Sequence, residues 1–192
     1  MAVLVEGISV IVRRSAIELR YDGGVDAFVE AVAGPTFCAD DELACIGFLS
    51  TTDAETFCEA LATAGLSLGD GGAAADVAIV DQFEGVATMT DWLEFARLDF
   101  DDAGHEIAVC WFHEGPRFAD ELRMPSDELE VAVPDGWEYE TSLSAKALAI
   151  PEDEIAERFE FVRHDAGGRD VYRDRATGEE FYAQNGPDEP TP

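Results

Sequence analysis

Apolar positions along this chain follow two periods in turn. Residues 3–12, VLVEGISVIV, are apolar at both odd and even positions, which predicts a central strand covered on both faces. Val25, Phe28, Val29 and Val32 recur at helical spacing after the turn Asp22-Gly23-Gly24, and Gly34-Pro35 ends that helix. Cys45–Leu49 predicts a strand. The clearest helix follows. Thr52-x-x-Glu55 forms a capping box, Ala54, Phe57, Cys58 and Leu61 make an apolar stripe, and Gly65 falls at the C′ position. Val77–Val80 is a short buried strand. The order over the first 82 residues is strand–helix–strand–strand–helix–strand. It suits a ferredoxin-like α+β unit with two helices, or a related mixed sheet in which the same elements pair differently.

A hairpin follows. Leu93–Phe100 and Glu106–His113 flank the turn Asp101-Asp102-Ala103-Gly104. The second strand is apolar on both faces and is therefore expected to be central. Residues 114–127 read as loop, and Leu129–Val133 as a short strand ending at the turn Pro134-Asp135-Gly136. Pro151 opens a short helix, and Phe159–Arg163, Asp170–Arg173 and Glu180–Tyr182 form a C-terminal β-meander. The expected organisation is a single α+β domain over residues 1–185. Residues 1–113 supply the main sheet and helices, and 151–183 supply a helix and meander packed on it. A flexible tail follows at 186–192.

Charge changes this picture. The chain has 192 residues, with 42 acidic and 12 basic side chains, a net charge of −30. From Asp22 to Glu94 there are fifteen acids and no Lys or Arg, and Lys146 is the one lysine of the sequence. An apolar fraction of 47% still supplies a core and argues against wholesale disorder. Such a surface repels nucleic acid and anionic membranes, so neither is an expected partner; a basic protein is. At molar salt the Debye length falls to about 3 Å and the self-repulsion mostly vanishes. The acid excess and near-absence of Lys therefore point to a halophile cytoplasm. Cys38, Cys45, Cys58 and Cys110 form no C-x-x-C pair and are expected as buried thiols in a reducing compartment. The start of the chain lacks the basic segment of a secretory leader, which fits the same compartment.

Candidate chemistry is thin. Gly65-Leu66-Ser67-Leu68-Gly69 matches a nucleophile elbow, but a helix precedes it where the elbow needs a strand, so a helix cap is the better reading. The run Asp99 to Gly104 starts like a calcium loop, yet Ala103 and Cys110 occupy positions that need oxygen ligands. Cys110 and His113 fall on opposite faces of a strand, so no metal site is expected there. No nucleotide fingerprint is present, and no cofactor is expected. The residues worth mutating are Glu6, Asp91, Glu94 and His113, together with His105 and His164. Glu6 stands among apolar neighbours, but an exposed strand end explains it more simply than a buried carboxylate. Arg13 and Arg14 lie about 24 Å along the same strand, out of its reach.

LVEGISVIVRR at 4–14, DWLEFARLDF at 91–100, VPDGWEYETSLS at 133–144 and FVRHDAGGRDVYRDRATGEEFY at 161–182 resemble segments of a family of uncharacterised soluble prokaryotic proteins. The resemblance spans nearly the whole chain and implies one integrated fold; it carries no activity and no site residue. Three functions remain in view. The first is a cytoplasmic binding or interaction module whose acidity suits high salt. The second is an acidic inhibitor, a DNA mimic or immunity-type protein directed at a basic nuclease or DNA-binding protein. The third is a small enzyme without a recognisable motif.

Overall fold

The computed structural model describes residues 1–49, 51–69, 75–88, 90–101, 104–113, 129–148, 159–164, 170–175, 178 and 180–183. Its elements run β1 (Ala2–Val5), β2 (Ile8–Arg13), α1 (Arg14–Arg20), α2 (Gly24–Val32), β3 (Phe37–Ala39), β4 (Leu43–Phe48), α3 (Thr51–Thr63), β5 (Val77–Asp81) and β6 (Gly85–Val86). There follow β7 (Leu93–Asp99), β8 (Glu106–Phe112), β9 (Val131–Ala132), a 3-10 turn at Tyr139–Thr141 and α4 (Leu143–Lys146). The last elements are β10 (Ala147–Leu148), β11 (Phe159–His164), β12 (Asp170–Asp174) and β13 (Glu180–Ala183). The expected α+β class is what the chain adopts.

One five-stranded sheet has the order β3-β4-β2-β5-β6 and is antiparallel throughout. From β2 onward the order β2-α1/α2-β3-β4-α3-β5 is the split βαβ arrangement of a ferredoxin-like unit. Alternation along its strands separates two cores. Val10 and Val12 of β2, with Ala44 and Ile46 of β4, join Ile17, Phe28, Cys58 and Leu61 of the helices. Ile11, Leu43, Cys45 and Val80 face the opposite way, into a core shared with a second sheet. That sheet has the order β7-β8-β1-β9 and contributes Val3, Val5, Leu93, Val109 and Trp111. The layers are therefore helices, sheet, sheet. Each fully buried Val, Leu or Ile contributes about 1.5–3 kcal/mol, which makes the doubly covered central sheet the main source of stability. β10, β13, β12 and β11 form a third sheet in that order.

The N-terminal apolar run is two strands, not the one expected. β1 pairs with β8 and β9, whereas β2 pairs with β4 and β5. The chain passes from one sheet to the other at Glu6-Gly7. Gly7 has φ +57°, and a Cβ there would stand 2.5 Å from the Phe48 carbonyl oxygen, so only glycine fits. Both strands are covered on both faces, which is why their sequences do not separate them.

Other expectations meet the structure more closely. The hairpin lies within a residue of its expected bounds, and β8 is central between β7 and β1. Gly65 ends α3 in a Schellman motif, with Leu66 N donating to Leu61 O at 3.1 Å and Gly65 N to Ala62 O at 3.1 Å. Thr52 lies inside the helix, its carbonyl accepting Thr56 Oγ1, so the expected capping box starts too late. Helix α1 was not expected, because its only buried residues are Ala16 and Ile17, too few to set a period. The expected helix at 151 and the tail at 186–192 lie outside the described residues. Among the described residues, no helix is long and apolar enough to cross a membrane.

Candidate functional site

Glu6 lies at the crossover between the sheets and is 4% exposed, contrary to the exposed strand end expected of it. Its partners come from far along the chain. Oε1 accepts Trp137 Nε1 at 2.9 Å, Ser144 N at 3.2 Å and Ser144 Oγ at 3.1 Å. Among the described residues its partners are three neutral donors on one oxygen. The turn that delivers Trp137 is the expected one: Trp137 N donates to Pro134 O at 3.0 Å. Ser142 then caps α4, its Oγ accepting Ala145 N at 3.1 Å, and this sets Ser144 against Glu6. On the other side of the crossover Gly7 N donates to Gln82 Oε1 at 2.6 Å and Gln82 N to Gly7 O at 3.0 Å.

Beside this junction lies a cleft of about 200 Å³, whose lining includes Gln82, Phe83, Arg97, His105, Glu106, Tyr139 and Ser144. Each is placed by an identifiable local device. Asp81 Oδ1 accepts Phe83 N and Glu84 N, forming the turn between β5 and β6 that presents Phe83. Arg97 and Glu106 are diagonal neighbours on β7 and β8, paired at 2.6 Å, and the Arg97 guanidinium lies 5.6 Å from the Phe83 ring centre. Asp101 organises the hairpin end: Oδ1 accepts His105 N at 3.2 Å and Oδ2 meets His105 Nδ1 at 2.8 Å. Gly104 N closes the turn on Asp101 O at 3.2 Å.

An aromatic group ties the hairpin to residues 134–146. The His105 ring stacks on Tyr139 with centres 4.4 Å apart, Phe100 stacks on the same tyrosine at 5.6 Å, and Trp137 meets Phe100 edge-on at 5.4 Å. Burial raises the Tyr139 phenol above its ordinary pKa, and the Asp101 and Glu106 carboxylates raise it further against the opposing pull of Arg97. The phenol therefore stays a donor at neutral pH. Asp101 holds Nδ1, so Nε2 is the other ring nitrogen of His105.

The sequence candidates do not gather here. Of the four, only Glu6 touches the cleft's surroundings, through Ser144. His113 stands at the far end of β8, its backbone N–H donating to Trp92 O at 2.8 Å. Val5 faces Ala108, so Glu6 comes level with Ile107, six residues and about 20 Å from His113. Asp91 is exposed just before β7, and Glu94 sits in β7 opposite Trp111. Cys110 is closed inside the core, where burial first and Glu94 second raise its thiol pKa. All four cysteines are free and buried. The side chain of His164 lies outside the described residues. Among the described residues, no three His, Cys, Asp or Glu side chains converge as a metal set. Ser67 follows a helix cap, as its context suggested, and donates its N–H to Asp76 Oδ2 at 2.9 Å.

Residues that sequence reasoning passed over are Gln82, Arg97 and Glu106. The Asp101–His105 spacing across a turn was visible, but the nearness of Tyr139 was not. Comparison with protein-family models, curated proteins and solved structures finds no match.

Proposed function

We propose that this chain is a small-ligand-binding protein whose site is the cleft between the β7–β8 hairpin and residues 139–144. One observation carries the reading: polar and aromatic side chains from three separated segments converge on one concavity at the seam of two sheets. Its volume suits a ligand of metabolite size. The acidity of the wider surface serves solvation in concentrated salt, within a cytoplasm. In that case stability in denaturant rises steeply between 0.1 M and 3 M KCl, and a chain equally stable at both ends removes the salt account.

The site is tested by NMR titration with a panel of small metabolites in 2 M KCl. Binding is expected to shift amides of residues 82–83, 97–108 and 139–144. Shifts confined to other regions, or a panel without a binder, would sink the assignment.

A second reading rests on the Asp101–His105 pair. A carboxylate on Nδ1 orients an imidazole whose Nε2 can serve as a general base, the arrangement needed for acid–base catalysis. It predicts turnover that His105→Ala abolishes while binding persists.

A further inference from the structure

Three of the four buried cysteines lie in the core between the two sheets, and two of them face each other. Cys38 of β3 and Cys45 of β4 are direct partners in the antiparallel register. Asp40 N donates to Leu43 O at 2.9 Å, and Gly47 N to Thr36 O at 3.1 Å. These bonds close the pairs two positions to either side. An antiparallel ladder alternates, so Cys38–Cys45 is itself a hydrogen-bonded pair. The Cα atoms of such a pair stand about 5.5 Å apart, close to the commonest separation in disulfides. The side chains agree with the backbone. Directly opposite residues project from one face of a sheet, and both thiols donate to a single acceptor, Leu4 O of β1, Cys45 at 3.1 Å and Cys38 at 3.8 Å. The two thiols also hydrogen-bond to each other. The other cysteines are placed differently. Cys110 sits on the facing sheet in register with Val3, and Cys58 lies on α3 in the helix-side core.

Access is built into the same strand. β3 is outermost in its sheet and three residues long, so few ladder bonds hold it. Its local opening costs less than global unfolding and uncovers Cys38. Cys45 lies on the inner neighbour, β4. The Cys38 hydrogen bond first and burial second raise its thiol pKa, which suits it to react after Cys38.

We propose that Cys38 and Cys45 are a thiol–disulfide pair, closed by a small-molecule disulfide and reopened by a thiol. The Cys38 thiolate attacks one sulfur of the oxidant, and a thiolate leaves. The Cys45 thiolate then attacks the Cys38 sulfur and releases the second. One S–S bond breaks in the oxidant and one forms in the protein. Two electrons pass to the oxidant, and the two thiol protons go to the released thiolates. Reduced, the pair is two core thiols. Oxidised, it fastens the edge strand to its sheet.

The test incubates the full folded chain in 2 M KCl with oxidised glutathione. Free thiols are then alkylated, and the chain is cut with Asp- and Glu-specific proteases for mass spectrometry. Asp40, Asp41 and Glu42 lie between the two cysteines, so cleavage there leaves them on separate peptides that only a disulfide joins. The expected result is the loss of two of the four thiols, a joined Cys38–Cys45 peptide pair, an unchanged circular dichroism spectrum and full recovery of the thiols with dithiothreitol. The amides of Cys38 and Asp40 should exchange at least about tenfold more slowly in the oxidised chain, because the opening of β3 is blocked. Cys38→Ser, which keeps a donor for Leu4 O, should leave Cys45, Cys58 and Cys110 all free under the same conditions. Four free thiols after oxidation, a linkage through Cys58 or Cys110, glutathione retained on Cys38 without the joined pair, or loss of the native spectrum on oxidation would each overturn the proposal. Equal amide exchange in the two forms would overturn the fastening of β3.

Discussion

Two buried carboxylates hold this fold together by opposite means. Asp76, at the start of β5, is fully buried and neutralised: Arg13 meets one oxygen at 2.7 Å, while Arg20 at 2.7 Å and Ser67 N at 2.9 Å share the other. Its backbone joins the same knot, Arg13 N donating to Asp76 O and Asp76 N to Ser67 O. Glu6 is nearly as buried, and its partners among the described residues are neutral donors. The first acid is sealed in by charges that lean out to water, and it binds β2, α1 and β5 together. The second is held by hydrogen bonds from residues 137 and 144 at the edge of a cleft. A paired acid is what a structural joint needs, since burying an uncompensated charge is costly. An acid held by neutral donors ties its segments together through hydrogen bonds instead.

Substitutions that remove charge but keep shape would sharpen this contrast. The largest effect is expected for Asp76→Asn, which strands two guanidiniums. Breaking a buried pair costs about 3–5 kcal/mol, and Arg20, half-exposed, recovers part of that from water. A loss of about 3 kcal/mol in urea unfolding at fixed KCl is expected; a loss below about 1 would remove the asymmetry. Glu6→Gln keeps an oxygen for Trp137 and Ser144 and loses only the charge assistance. Its cost is expected near 1 kcal/mol, the difference between charged and neutral hydrogen bonds. A cost as large as that of Asp76→Asn would mean that Glu6 is a structural joint too.

The smallest effect is expected in alkali. Tyr139 has a raised pKa in the fold, so its contribution is fully present below the unfolded value near 10 and is lost as pH rises through the folded value. Unfolding free energy should therefore fall as pH rises above about 10, and fall less in Tyr139→Phe. Equal slopes in the two proteins would show that the phenol feels no net negative field.

How legible all this is in the sequence differs by level. Local devices could be read: Gly65 as a helix cap, the Asp101–Gly104 turn, and the both-faces-apolar β8 as a central strand. Most of the βαββαβ unit was legible because periodicity and turn residues act within a few positions, but the three-residue strand Phe37–Ala39 was not. Glu6 was misjudged because its partners, Trp137 and Ser144, lie more than 130 residues away. No local rule reports a donor that arrives through tertiary packing. The cleft was hidden for the same reason. Arg97 and Glu106 look like ordinary surface charges until the hairpin pairs them, and Tyr139 sits in a stretch with no periodic signal at all.

The crossover at Gly7 also sets a timetable for synthesis. β1 leaves the ribosome well ahead of its partner strand, with Val3 facing Cys110. At about 5–20 residues per second, that strand emerges roughly 5–20 s later. The five-stranded sheet, complete by Val86, can close in the meantime. Throughout that interval β1 lacks its β8 partner and has an unpaired edge, which makes it a natural target for chaperones acting at the exit tunnel.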